Sequence, residues 1–145
     1  MQKMAAQTYL LMPGNPFIYY GEELGLTGSG IDQNKRLPMP WNAAGTDSPK
    51  ADISVPGATE IATTDGGSVA QQEANPNSLL NWYKKILRVK AKYPEIATDR
   101  LKNIAVSEES LSVINYGKDV TIINNFSDTE NVTMKLPKSV VGTKI

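Results

Sequence analysis

The chain has 145 residues, enough for one domain by length alone, and its 15 lysines and arginines balance 15 aspartates and glutamates. Zero formal charge argues against a nucleic-acid or anionic-membrane partner, since both need a basic patch. With no cysteine and no histidine, the chain has no disulfide, thiolate, imidazole base or histidine metal ligand.

Residues 1–12 read as the end of a helix, with Met4, Ala5, Tyr9, Leu11 and Met12 giving a roughly helical apolar face. No charged-then-apolar leader pattern stands there. No apolar run in the chain approaches the roughly 20 residues of a membrane span. Pro13, Gly14 and Pro16 then break the helix, because proline lacks an amide donor and glycine accepts a left-handed backbone. Phe17, Ile18, Tyr19 and Tyr20 follow as an unalternating apolar run, which suits a strand buried on both faces in a parallel sheet or barrel. Gly21 ends that run, and Glu22 and Glu23 arrive where such a strand opens at its carboxyl end, the end where binding groups gather in parallel α/β folds.

Residues 26–42 form a loop, flexible at Gly28-Ser29-Gly30 and stiffened by Pro38 and Pro40 before Trp41. Residues 43–74 are polar and rich in Gly, Thr and Pro, which predicts a long surface excursion with one short helical turn near Val69–Glu73. The clearest helix begins at Asn75-Pro76-Asn77-Ser78, with Asn75 or Asn77 as its cap and Pro76 at an early position. Leu79, Leu80, Tyr83, Ile86, Leu87 and Ala91 recur at helical spacing, and Pro94 stops it. Lys84, Lys85, Arg88, Lys90 and Lys92 read as its wet face.

From Ile96 the period changes to two. Ile104–Val106, Leu111–Tyr116, Val120–Phe126 and Val132–Leu136 are separated by hairpin-length breaks, which predicts an antiparallel meander.

Pro13-Gly-Asn-Pro-Phe-Ile-Tyr-Tyr-Gly-Glu-Glu-Leu-Gly25, followed by Gly28-Ser-Gly-Ile-Asp-Gln-Asn-Lys-Arg-Leu-Pro-Met-Pro-Trp41, resembles the last barrel strand and following loop of the α-amylase family of glycoside hydrolases. Asn77–Leu87 is similar to the family's last barrel helix, and Ile123-Asn-Asn-Phe-Ser127 to a phrase of its β-sandwich domain. The resemblance covers most of the chain and matches residues 43–74 loosely. It implies an α+β fragment: the last helix-strand-helix portion of a (β/α)8 TIM barrel over residues 1–95, then an antiparallel β-sandwich domain, cut short, over 96–145. The implied activity is retaining hydrolysis of α-1,4-glucans such as starch and maltooligosaccharides. The family's nucleophile, acid/base and stabilising aspartate lie on earlier strands, and its Asn-His-Asp motif is expected upstream of Met1. The fragment alone is therefore expected to be inactive. Alternatives are an oligo-1,6-glucosidase, a glucosyl-transferring relative, or a non-catalytic glucan-binding or structural module.

Among candidate site residues, Glu22 and Glu23 do not suit a catalytic pair, because neighbouring strand residues point to opposite faces while retaining glycosidases need two carboxyls facing across roughly 5 Å. Arg36 is expected at the rim of the cleft, pairing with Asp32 or Glu22 to organise the loop, with direct sugar contact as the second role. Trp41 is either buried under that loop or a stacking platform for a sugar ring. Asp32, Asn34 and Asp47 lack the spacing of a calcium loop and read as a solvated turn. No cofactor is expected in this chain, and calcium stays open for the parent enzyme. Asn125-Phe-Ser127 and Asn131-Val-Thr133 match glycosylation sequons but read as turn and strand chemistry. An incomplete barrel leaves strand edges and helix faces uncovered, so self-association is expected. Cysteine absence leaves the compartment open, and a secreted or cell-surface bacterial parent is favoured over a cytoplasmic one.

Overall fold

The computed structural model describes residues 1–44, 46, 53–59, 63–64, 66–98, 101–106, 111–116, 120–129 and 131, with the backbone alone for 63 and 101–106. The chain packs as two compact units. One comprises Met1, Lys3–Pro16 and Lys85–Ile145; the other comprises Gln2 and Phe17–Lys84.

In the first unit, helix α1 (Gln2–Leu10) buries Ala6, Gln7 and Leu10. It ends as expected before Pro13-Gly14, but its last carbonyls are not closed by a glycine cap. Helix α3 (Leu79–Lys92) supplies Lys90, whose Nζ donates to Leu10 O at 2.9 Å and also to Met12 O. Tyr116 Oη donates to Leu11 O. Side chains from distant parts of the chain thus satisfy carbonyls that a helix end leaves without intrahelical partners. Gly14 N donates to Ala97 O at 2.9 Å, which ties the turn to the short helix α4 (Glu95–Thr98).

Three antiparallel strands follow in the order of the chain, β3 (Leu101–Val106), β4 (Leu111–Tyr116) and β5 (Val120–Asn125). The register pairs Val113 with Ile123 and Tyr116 with Val120, and a bulge lies between Leu101 and Asn103. The meander read from the period-two pattern is therefore present. Its first strand begins at Leu101 rather than Ile104, and the strand expected at Val132–Leu136 lies outside the described residues. In β4, Leu111, Val113, Ile114 and Tyr116 are all buried, so this central strand is covered on both faces and departs from strict alternation.

In the second unit, two-residue strands β1 (Leu26–Thr27) and β2 (Thr63–Thr64) pair antiparallel and close the excursion between them. Helix α2 (Val69–Ala74) falls where the short helical turn was expected. Its capping box is reciprocal: Ser68 Oγ accepts from Gln71 N, and the Gln71 side chain accepts from Ser68 N at 3.0 Å.

Three expectations need correction. Phe17–Tyr20 is not a strand: the segment is coil passing into a turn, and Phe17 is 95 % exposed. A strand exists through ladder bonds to its neighbours. Here Tyr19 instead bonds to its own loop, its N donating to the Glu22 carboxylate at 3.3 Å and its O accepting from Glu22 N at 3.2 Å. Helix α3 is capped by Ser78, whose Oγ accepts from Asn81 N at 3.1 Å, and not by Asn75 or Asn77. Asn75 Oδ1 is engaged earlier, by Asn77 N at 2.9 Å, in a turn that precedes the helix. Finally, Lys90 is buried rather than wet, and Ala91 is exposed rather than apolar core.

Candidate functional site

The acidic turn is built on glycine. Gly21 has φ +88°, and a Cβ there would stand 2.9 Å from Leu26 Cβ. Its carbonyl accepts from Leu24 N at 3.1 Å and Leu26 N at 2.9 Å, which folds Glu22–Leu24 into a 3-10 turn. The two carboxylates are spent on this turn. Glu22 takes Tyr19 N on one oxygen and the Tyr83 hydroxyl on the other, each at 3.3 Å. Glu23 takes Gly21 N at 2.9 Å. Each carboxylate serves the chain's own donors.

Beneath the turn lies Gln72 of α2, fully buried. Its amide nitrogen donates to Leu24 O at 2.8 Å and Gly67 O at 3.3 Å, and its amide oxygen accepts from Leu80 N at 3.1 Å. Its backbone carbonyl accepts from Ser78 Oγ at 2.7 Å and Asn81 Nδ2 at 2.9 Å. One residue therefore joins the acidic turn, α2 and the start of α3. A buried amide whose groups are all paired is stabilising only as a complete set, because each unpaired group is costly in a low dielectric.

The loop from 28 to 41 is held from within. Asn34 sits in the 3-10 turn Asp32–Lys35 and is 6 % exposed. Its Nδ2 donates to Ser29 O and Gly57 O, both at 3.0 Å; its Oδ1 accepts from Thr59 N at 2.8 Å and Thr59 Oγ1 at 3.2 Å. Asn34 was expected in a solvated turn, but its side chain faces inward and is saturated. Gly28 permits the close approach: a Cβ there would lie 1.8 Å from Asn34 O.

On the outer side of the same turn, Arg36 pairs with Asp32, one of the two partners expected for it. Both side chains are exposed, so the pair organises the loop with little stabilisation. Tyr20 Oη donates to Leu37 O at 3.2 Å. Partial burial raises the Tyr20 pKa first, Tyr19 adds to the rise, and Arg36 opposes it. Trp41 is 49 % exposed rather than buried under the loop. Its backbone is nonetheless fixed: Val69 N donates to Pro40 O at 2.8 Å and Ala70 N to Trp41 O at 3.1 Å. The residue is half-buried, between the two expected states.

Asp47 lies outside the described residues. Asn34 oxygen is taken by Thr59 and Asp32 by Arg36, so these residues do not fit a calcium cage. Among the described residues no group of three or more acidic, His or Cys side chains could hold a metal ion. Asn125 Oδ1 accepts from Ser127 N at 2.9 Å, a local turn. Asn34, Gln72 and Lys90 were not legible as organising residues. Only Lys90 left a signal, falling in phase with Tyr83 and Ile86 on the apolar face of α3.

The geometry defines an α+β chain in which a glycine-framed acidic turn and a braced loop precede an amphipathic helix and an antiparallel meander. Residues 1–99 match the family model for the alpha amylase catalytic domain. The chain belongs to the α-amylase family. It is 30 % identical over 133 residues to alpha-amylase 3 of Dictyoglomus thermophilum, covering 88 % of this chain and 26 % of that protein. It is 37 % identical over 112 residues to alpha-amylase SusG of Bacteroides thetaiotaomicron, covering 74 % of this chain and 15 % of that protein. The solved structure of Eubacterium rectale Amy13B superposes with a TM-score of 0.73 at 29 % identity, covering 87 % of this chain and 25 % of that one. Other relatives carry the names of an oligo-1,6-glucosidase and of trehalose synthase/amylases, at 26 % and 28 % identity. The chain thus spans less than a third of the length of these relatives. These relatives are glycoside hydrolases of a TIM-barrel family.

Proposed function

We propose that this chain is part of an α-amylase-like glycoside hydrolase acting on α-1,4-glucans by a retaining mechanism. Residues 1–95 supply the C-terminal end of the catalytic barrel, and 96–145 belong to an antiparallel β-sandwich domain. The match of residues 1–99 to the catalytic domain carries this reading. Phe17–Tyr20 is coil and not the barrel strand this reading expects, but its exposed apolar surface is costly in water and suits cover by further protein. A retaining enzyme needs a nucleophile and an acid/base facing one another across the scissile bond. Glu22 is bound to Tyr19 N and the Tyr83 hydroxyl and Glu23 to Gly21 N, so neither acts as nucleophile or acid/base, and the chain alone is expected to be inactive. In this reading Arg36 and Trp41 stand at the rim of the cleft, the guanidinium toward sugar hydroxyls and the indole toward a pyranose ring; the exposure of the Arg36 side chain and the half-exposure of Trp41 support it. Without its barrel neighbours the chain associates with itself through the Phe17–Tyr20 surface. The parent is secreted or on the cell surface.

The test pairs this chain with a polypeptide that adds the residues encoded upstream. We expect no release of sugar from maltoheptaose by the 145-residue chain. The longer polypeptide should hydrolyse it with retained anomeric configuration, read by NMR. Hydrolysis by the short chain, or inversion by the long one, overturns the proposal. The relative named an oligo-1,6-glucosidase favours a second reading, in which the parent cleaves α-1,6 bonds. Isomalto-oligosaccharides as the better substrates of the longer polypeptide would select it. Heat of binding to maltoheptaose without any hydrolysis by the longer polypeptide would select a glucan-binding module.

A further inference from the structure

We infer that Asn34 is the positioning residue for Arg36 at the sugar rim: one buried amide clasps the 28–36 loop to the 57–59 segment and so fixes the turn that carries the guanidinium. This rests on the rim reading of Arg36 given above. Arg36 directly follows the 3-10 turn Asp32–Lys35, and its N donates to Gln33 O at 3.1 Å, so its backbone is set by that turn. The turn in turn is set by Asn34. Both amide hydrogens and the amide oxygen of Asn34 are used, on Ser29, Gly57 and Thr59, and the segments it joins are 5, 23 and 25 residues away in sequence. The packing is close enough that Gly28 meets Asn34 O with no room for a Cβ. The Arg36–Asp32 pair cannot set this geometry itself, because both partners are solvent-exposed and free to exchange water for one another. The side-chain hydrogen bonds of Asn34 go to Ser29, Gly57 and Thr59 and not to Asp32 or Arg36, so its effect on Arg36 passes through the turn.

The donor and acceptor halves of the clasp separate by substitution. Asn34→Asp keeps the acceptor toward Thr59 and loses both donors toward Ser29 and Gly57. Thr59→Val removes only the hydroxyl bond, and Asn34→Ala removes everything. Two readouts apply to the 145-residue chain, with circular dichroism melting as a check on folding. The first is the guanidinium signal of Arg36 in spectra of chain labelled with 15N-arginine, assigned by Arg36→Lys. We expect it to shift and broaden in Asn34→Asp and Asn34→Ala and to stay in place in Thr59→Val. An Arg36 signal unchanged in both Asn34 variants overturns the inference. If Asn34→Ala fails to fold, Asn34→Asp decides by the same signal.

The second readout is calorimetric titration with maltoheptaose. Asn34→Ala should weaken binding about as much as Arg36→Ala does, and the double variant should be weaker than either by no more than about twofold, the signature of residues acting through one another. Additive losses overturn the inference. Wild-type chain that binds no maltoheptaose removes the rim reading alone; the arginine spectra then still decide whether Asn34 positions Arg36.

Discussion

The side-chain amide of Gln7 in α1 donates to Asn124 Oδ1 in β5 at 2.6 Å, a buried bond between residues 117 apart in sequence. Asn124 also donates to Ser112 Oγ at 3.3 Å, so the pair links α1 to β4 and β5 within one unit. Breaking either partner leaves the other unpaired in a dry environment. We expect Gln7→Leu and Asn124→Leu each to destabilise by about 1–3 kcal/mol. The double variant should lose less than the sum of the two singles, as measured by urea unfolding. Strict additivity would mean that the bond contributes nothing.

Burial moves the pKa values of Lys90 and Tyr116, which donate to neighbouring carbonyls at the end of α1, in opposite senses. Burial lowers the Lys90 pKa from its ordinary 10.5 and raises that of Tyr116 from 10.0. The depressed lysine gives stability above its unfolded value and loses it as pH falls through the folded value. The raised tyrosine gives stability below 10.0 and loses it as pH rises through its folded value. The stability advantage of wild type over Lys90→Met should therefore grow from pH 8 toward 10.5. The advantage over Tyr116→Phe should shrink above 10.0. Thermal melting across this range measures both, and parallel curves for all three proteins would refute the assignment.

Gln72 is replaceable only by something that donates. Gln72→Leu should cost about 3 kcal/mol by abandoning Leu24 O, Gly67 O and Leu80 N. Gln72→Glu presents a buried carboxylate to two carbonyls, which raises its folded pKa. Its deficit relative to wild type should be greatest at pH 7 and narrow as pH falls toward the ordinary glutamate value of about 4.3. A deficit that widens in acid would contradict this.

Association should depend on the open apolar run. Phe17→Ser combined with Tyr19→Ser removes the two most exposed members, 95 % and 57 %. Light scattering should show oligomers of wild type that dissociate in the double variant. A monomeric wild type sinks the expectation.

Gly28→Ala should fail through collision rather than dihedral strain. Its Cβ would meet the Asn34 carbonyl at 1.8 Å, and backbone cannot step aside as a side-chain tip can. We expect a loss of about 1–3 kcal/mol, read by chemical denaturation. Gly14→Ala is the contrast: no atom lies within 4 Å of its Cβ, although its φ of +86° adds strain of its own.

Periodic elements were legible and convergent ones were not. Helix α3 and strands β4 and β5 followed from spacing, because burial of one face writes itself into the sequence at a fixed interval. Helix α1 was placed but its face was not: of the expected Met4, Ala5, Tyr9, Leu11 and Met12 only Leu11 is buried, and the helix packs through Ala6, Gln7 and Leu10 instead. Phe17–Tyr20 misled because an apolar run states what a segment needs to bury, not whether neighbours are present to bury it. Ser78 displaced Asn75 and Asn77 as a cap because the turn before α3 consumed Asn75 first. Asn34 and Gln72 were invisible for another reason. An amide's role depends on carbonyls brought to it from loops far away, and no local interval records that. Trp41 was read from its proline flanks, which constrain the backbone but leave about half of the residue exposed.

The pairing of Leu26 with Thr64 and the bonds from Val69 and Ala70 to Pro40 and Trp41 bring the excursion back to where it departs. A loop whose two ends are pinned can lengthen or shorten cheaply, since doubling its length adds only about 0.6 kcal/mol of closure entropy. Within the excursion Gly57 and Thr59 hold Asn34 and Thr64 pairs with Leu26, so foreign peptide is best spliced in between Trp41 and Gly57, where the indole on the near shore keeps its place.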